Sequence, residues 1–94
     1  MKLFWTQLAI ADLNCAYDFI AEENPSAAAR VIDRIEQALA ALRTHPQIGR
    51  PGRVEGTREF VISGTPFIVP YRIKDKRIEI LGVIHGTRQW PETA

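Results

Sequence analysis

Between Ser26 and Arg43 the apolar residues Ala28, Val31, Ile32, Ile35, Leu39 and Leu42 recur every three or four positions. Arg30, Asp33, Arg34 and Gln37 stay off that stripe. This spacing puts one continuous oily face on a long helix, and such a face needs an apolar surface to cover it. Asn24-Pro25 fixes where the helix starts, because Asn caps well and Pro suits the first helical position. Thr44-His45-Pro46 stops it.

A second helix precedes it. Thr6 is a plausible cap, and from Gln7 to Glu23 the residues Ala9, Leu13, Ala16, Tyr17 and Ile20 share one face. A further stripe, Leu8, Cys15 and Phe19, lies about 100° round the same helix. An apolar arc that wide implies two packing partners, or one partner outside the chain. Only Asn24-Pro25 separates the helices, which predicts an antiparallel hairpin. Ahead of them Lys2–Thr6 is apolar and aromatic and suits a strand.

Residues 46–57 contain two Pro, three Gly and two Arg and read as a loop. Beyond it Arg58–Ser63, Pro66–Ile73 and Arg77–His85 are rich in Val, Ile, Phe and Tyr, and turn signals at Gly64-Thr65 and Asp75-Lys76 divide them. These turns predict a register. Ile73 opposes Ile78, Arg72 opposes Glu79, Tyr71 opposes Ile80, Val69 opposes Gly82 and Phe67 opposes Ile84. On the other side Ile62 opposes Phe67, Phe60 opposes Val69 and Arg58 opposes Tyr71. One sheet face then carries Phe60, Ile62, Phe67, Val69, Tyr71, Ile73, Ile78, Ile80 and Ile84, a continuous surface for the helices. Val83 and His85 fall on the face away from them. Pro70 lacks a donor and should mark a bulge or a non-bonded position. The expected fold is α+β: an N-terminal strand, then an antiparallel two-helix hairpin packed on a three- to four-stranded, mainly antiparallel sheet. At 94 residues, residues 1–94 form a single domain.

Composition removes several classes of function. One cysteine, Cys15, excludes an internal disulfide and a multi-cysteine metal site. His45 and His85 stand forty residues apart with no thiol nearby, so no metal is expected. No phosphate loop or dinucleotide fingerprint occurs, and no cofactor is expected. No apolar run approaches the roughly 18 residues of a membrane span, and no secretory signal is apparent. The expected location is cytoplasmic. Net charge is only +1, but residues 1–45 carry −2 and residues 46–94 carry +3. The basic half is where an anionic partner belongs.

Candidate chemistry is confined to a basic and aromatic set: Arg50, Arg53, Arg58, Tyr71, Arg72, His85, Arg88 and Trp90. Arg58 can stack on Tyr71 at the sheet's end, or contact a phosphate or a partner carboxylate. Arg72 opposite Glu79 is most simply an exposed cross-strand pair. His85 ends the last strand beside a loop holding Arg88. Histidine can act as a general acid or base near neutral pH, and arginine can stabilise charge on a phosphate, so together they could cleave RNA. Trp90-Pro91 either tucks onto the sheet edge or stacks on a base or partner.

Several pieces together resemble the ParE/RelE superfamily of toxins from bacterial type II toxin–antitoxin modules. They are Trp5 with Ala9 and Asp12-Leu13, Asn24-Pro25 with Ala27–Ala29, Pro46 with Gly49-Arg50, and Gly56-Thr57-Arg58-Glu59. Pro66-Phe67-Ile68-Val69-Pro70-Tyr71-Arg72 comes next, then His85, Arg88 and Trp90-Pro91. The likeness runs from about Trp5 to Pro91. It implies a helical hairpin on a small antiparallel sheet, and a hetero-oligomer with a cognate, typically ParD-like, antitoxin whose disordered tail folds onto the toxin. DNA would be reached only indirectly, through the antitoxin. Leu8, Cys15 and Phe19 and the arginines of the β half are the expected docking surfaces.

The superfamily divides by activity. RelE-like members cleave messenger RNA on the ribosome, whereas ParE-like members inhibit DNA gyrase. The ribosome-dependent nucleases look strongly basic, which a net charge of +1 does not match. The Gly-Thr-Arg-Glu and His-x-x-Arg-x-Trp-Pro pieces resemble ParE, so the expectation is a gyrase inhibitor that works by protein contact. The alternative is a metal-independent RNA endonuclease with Glu55 as base, His85 as acid and Arg58 or Arg88 on the phosphate.

Overall fold

A computed structural model describes residues 1–87 and Trp90. The elements are β1 (Lys2–Trp5), α1 (Gln7–Ala21), α2 (Pro25–Thr44), β2 (Arg50–Pro51), β3 (Arg58–Val61), β4 (Phe67–Lys74), β5 (Arg77–Ile80) and β6 (Ile84–His85). The strands form one sheet in the order β1-β5-β4-β3-β2, and β6 pairs with β4. Pairing is antiparallel except between β1 and β5. The α+β class, the N-terminal strand and the helix pair are as the sequence predicts.

Local chemistry sets the element ends. The Thr6 hydroxyl accepts the Ala9 N–H at 3.2 Å and donates to the Ile80 carbonyl at 2.8 Å, so one side chain caps α1 and ties it to β5. Asn24 Oδ1 accepts the Ala27 N–H at 3.1 Å, with Pro25 at the first turn of α2. Asp75 and Lys76 take φ of 53° and 60°, the paired left-handed conformation that closes a two-residue hairpin.

The core lies between α2 and the sheet. Ile35, Leu39 and Leu42 of α2 are buried against Ile62, Val69, Tyr71, Ile78 and Ile80. From α1 only Ala9 and Ala16 are fully inside, while Leu13 and Ile20 are half-buried. Tyr17, expected on the core face, is exposed. Two alanines give α1 little apolar bulk to bury, so its oily arc extends past the area the sheet and α2 can cover.

Two expectations need correction. The stretch 46–57 is not wholly loop, because Arg50-Pro51 pairs with Glu59 and Arg58 as β2. The third strand of the meander is broken. Up to Leu81 the predicted register holds, with Tyr71 opposite Ile80 and the Leu81 N–H on the Pro70 carbonyl at 2.9 Å. Proline has no N–H to return, and the ladder stops there. When pairing resumes, Ile84 opposes Ile68 and His85 opposes Phe67, one residue out of the expected alignment. An inserted residue reverses which side chains face inward. Val83 therefore joins the core cluster and His85 shares a face with Phe67, the reverse of the expected assignment for both. The Val83 N–H, released from the ladder, is taken by Asp12 Oδ2 of α1 at 3.1 Å.

Ile35 is fully buried and Phe19 is 78% exposed. Ile35→Ala should cost about 2–5 kcal/mol in urea unfolding, and Phe19→Ala should change stability by less than about 0.5 kcal/mol.

Candidate partner-binding surface

The α1 stripe stands in solvent. Leu8 is 62% exposed, and Cys15 lies exposed between it and Phe19 on the same side of the helix. Round the helix, Ile10 borders a groove of about 430 Å³ with Leu3, Trp5, Leu13, Glu36 and Leu39. This groove runs where β1, α1 and α2 meet. Sequence reasoning misses Ile10. Its signal is the pair Ile10 and Tyr17, seven residues apart on the flank of the core stripe opposite Leu8 and Phe19.

The sheet's outer face carries two buried glutamates, each held by two arginines. Glu59, 2% exposed, accepts from Arg50 at 3.3 Å, lies 3.4 Å from the Arg53 guanidinium and takes the Arg53 backbone N–H at 3.0 Å. This clasp curls 50–53 back onto β3 and makes β2. Glu79, 5% exposed, accepts from Arg72 at 2.5 Å and from Arg77 at 3.0 Å. The predicted Arg72–Glu79 pair is present, but its carboxylate is covered rather than exposed. The Arg72 hydrogen bond holds the Glu79 carboxyl below its ordinary range. Desolvation works against that shift, and Arg77 adds to it.

Tyr71 and Arg58 face inward to the chain itself. Tyr71 is fully buried; its hydroxyl donates to the Pro46 carbonyl at 2.8 Å and accepts the Gly49 N–H at 2.9 Å. Burial pushes its phenol pKa up, partly offset by the Gly49 hydrogen bond and the nearby Arg58 charge. Arg58 donates to the Gln47 and Gly49 carbonyls at 3.2 and 2.7 Å. Gly49 is required by proximity: a Cβ there would lie 2.6 Å from the Tyr71 hydroxyl. These two residues, expected on a binding surface, pin the loop that presents Arg50 and Arg53.

His85 is exposed at the end of β6. Its Nδ1 accepts the Thr87 backbone N–H at 3.3 Å and sits 2.8 Å from the Thr87 hydroxyl, and Phe67 packs edge-on with centroids 6.0 Å apart. Glu55, Arg58 and His85 do not converge. Arg58 pairs with Tyr71, His85 pairs with Phe67, and the four residue steps from Phe67 to Tyr71 along β4 span about 13 Å. Glu55 lies exposed in the turn before β3, farther still along the strand axis. Arg88 and Pro91 lie outside the described residues. Trp90 is half-buried, its indole nitrogen 3.7 Å from where a Cβ on Gly82 would stand. Among the described residues no group of three His, Cys, Asp or Glu could hold a metal ion, and no helix is long and apolar enough to cross a membrane.

The sequence and the fold have relatives. A family model described as ParE toxin of type II toxin-antitoxin system, parDE, matches residues 3–90. "Putative toxin Y4kP" of Sinorhizobium fredii is 44% identical over 97% of this chain and 94% of its own length. Toxin RelE2 of Caulobacter vibrioides is 31% identical over 93% of this chain and 97% of its own. Among solved structures, a chain of the chromosomal ParDE TA system from P. aeruginosa superposes with a TM-score of 0.81 at 33% identity, covering 90% of this chain and 95% of that one. A chain of the toxin-antitoxin complex RelBE2 from Mycobacterium tuberculosis gives 0.58 at 28% identity, covering 89% and 95%.

Because Glu79 has a lowered pKa when folded, it stabilises the fold above its unfolded value, near 4.5, and that contribution is lost as pH falls through the folded value. Between those two values, wild type should lose stability more steeply than Glu79→Gln as pH falls, read by urea unfolding at each pH. Parallel curves would count against the clasp.

Proposed function

Because the chain belongs to the ParE toxin family of type II toxin–antitoxin systems, we propose that a ParD-like antitoxin neutralises it and that its target is DNA gyrase. Its place among type II toxins of the ParE/RelE superfamily is shown by the family match and by its relatives. The target and the details of the antitoxin contact are the proposal.

One observation carries the choice of target. Metal-free RNA cleavage needs a base, an acid and a phosphate-holding cation within reach of one ribose and its phosphate. Here the register sets Glu55 and Arg58 at one end of β3 and His85 at the other. Arg58 is committed to backbone carbonyls, and His85 Nδ1 to Thr87. This separation favours a toxin that acts by protein contact. The likeness to a RelBE2 chain keeps the nuclease as the reading to test against.

The antitoxin contact rests on the surplus apolar surface. Leu8 and Phe19, with the groove of Leu3, Trp5, Ile10 and Leu13, offer what an amphipathic segment folding on contact needs. The arginines on Glu59 suit its acidic positions. Both solved relatives come from toxin–antitoxin systems, and a chain left with Phe19 uncovered has reason to be made with such a partner.

Two measurements check this reading. The purified chain should inhibit gyrase supercoiling and trap cleaved DNA. Positioned messenger RNA breaks that disappear in His85→Ala would instead establish the nuclease. In titration calorimetry against the antitoxin encoded beside the toxin, Phe19→Asp should bind about tenfold more weakly or worse. Wild-type affinity in that variant would remove α1 from the interface.

A further inference from the structure

Strand pairing sets Lys2 beside Arg77 and Arg77 beside Lys74. Paired residues on neighbouring strands project from the same face, so three cations form one row across β1, β5 and β4. The row is about 10 Å long, from the spacing of adjacent strands. The next row is Phe4, Glu79 and Arg72. Ile73 and Ile78 alternate with these positions and pack on the core, so both rows lie on the face away from the helices.

This arrangement costs the sheet something. Like charges directly opposite one another destabilise strand pairing. Glu79 answers Arg72 and Arg77, and no carboxylate of the described residues forms an ion pair with Lys2 or Lys74. Four cations therefore share one covered anion. Phe4 stands among them 46% exposed, with the Arg77 guanidinium 4.5 Å from its ring centroid.

We propose that this patch binds single-stranded nucleic acid directly, with backbone phosphates along the Lys2–Arg77–Lys74 row and an unpaired base against the Phe4–Arg77 stack. An acidic peptide would answer the charges and leave the ring unused. A duplex hides its base faces and would use only the charges. A single strand offers phosphates and π-faces together. The patch lies at the β1 edge, apart from the Glu59 clasp, and depends on neither reading of the toxin's target.

Fluorescence anisotropy of the full-length chain tests it, with a short labelled oligodeoxynucleotide, the same sequence as duplex, and poly-glutamate as probes. The single strand should bind with log K falling against log salt at a slope of about −2, the value for three phosphate contacts. Lys2→Ala with Lys74→Ala should flatten the slope to about −1 or less in magnitude and weaken binding about tenfold at low salt. Lys2→Arg with Lys74→Arg, which keeps the charge, should bind as wild type. Phe4→Ala should weaken the single strand about tenfold and leave duplex binding unchanged. The proposal is overturned by absent binding at low salt, by an unaltered slope in the alanine pair, or by duplex or poly-glutamate binding as tightly as the single strand.

Discussion

A phenol taken wholly out of water has to bring its hydrogen-bond partners with it. Tyr71 stands at the centre of β4, under α2, and its hydroxyl finds a carbonyl and an N–H only because residues 46–49 fold back to supply them. That need shapes the neighbouring chain. Gly49 has to lack a side chain, since the ring fills the space a Cβ would occupy. Arg58 then closes over the Gln47 and Gly49 carbonyls. With the loop fixed at that height, Arg50 reaches Glu59 and β2 forms. The Glu59 half of the outer arginine surface thus rests on one buried oxygen. Aromatic stacking with Arg58 alone would not set the loop's position; two directional hydrogen bonds do.

The sequence discloses those parts of the fold whose causes are local. The α2 stripe, the Thr6 and Asn24 caps and the turn at Asp75-Lys76 each depend on a few neighbouring residues, and each stands where the sequence puts it. The meander's register follows from its turns as far as Tyr71 and Ile80. It fails beyond Pro70, where counting residues from a turn assumes that every position can complete the ladder. A proline signals a bulge but does not say which strand absorbs the extra residue. That choice depends on Asp12, seventy-one residues from Val83, which takes the displaced N–H. β2 is hidden for a similar reason: its cause is the Glu59 carboxylate, not any strand propensity of Arg50-Pro51.

The candidate residues divide by the same principle. Leu8 and Phe19 are legible because excess apolar width on a helix is visible without knowing what packs where, and they are exposed. Arg50, Arg53 and Arg72 also reach the surface, anchored at one side by glutamates. Tyr71 and Arg58 look like surface chemistry in the sequence because a Tyr–Arg pair at a strand end suits a ligand as well as a loop. Only the backbone groups of 46–49 decide between them. The one-residue slip that moves Val83 into the core also moves His85 to the face opposite the one expected.

A net charge of +1 describes this molecule poorly, because its charges are sorted in space. The exposed side of α1 carries Asp18 and Glu22 beside its oily stripe, while the outer sheet face gathers arginines and lysines around two covered glutamates. Covering those carboxylates has two effects at once. It holds long arginine side chains in fixed positions, which reduces the entropy lost when they contact a partner. It also leaves each Arg–Glu–Arg unit with a net positive charge facing outward. A surface built this way is rigid and cationic while the protein as a whole stays near neutrality. That combination keeps general adhesion to polyanions weak, because adhesion scales with how many phosphates a protein can neutralise at once, and it leaves each short cationic patch to discriminate by what stands beside the charges.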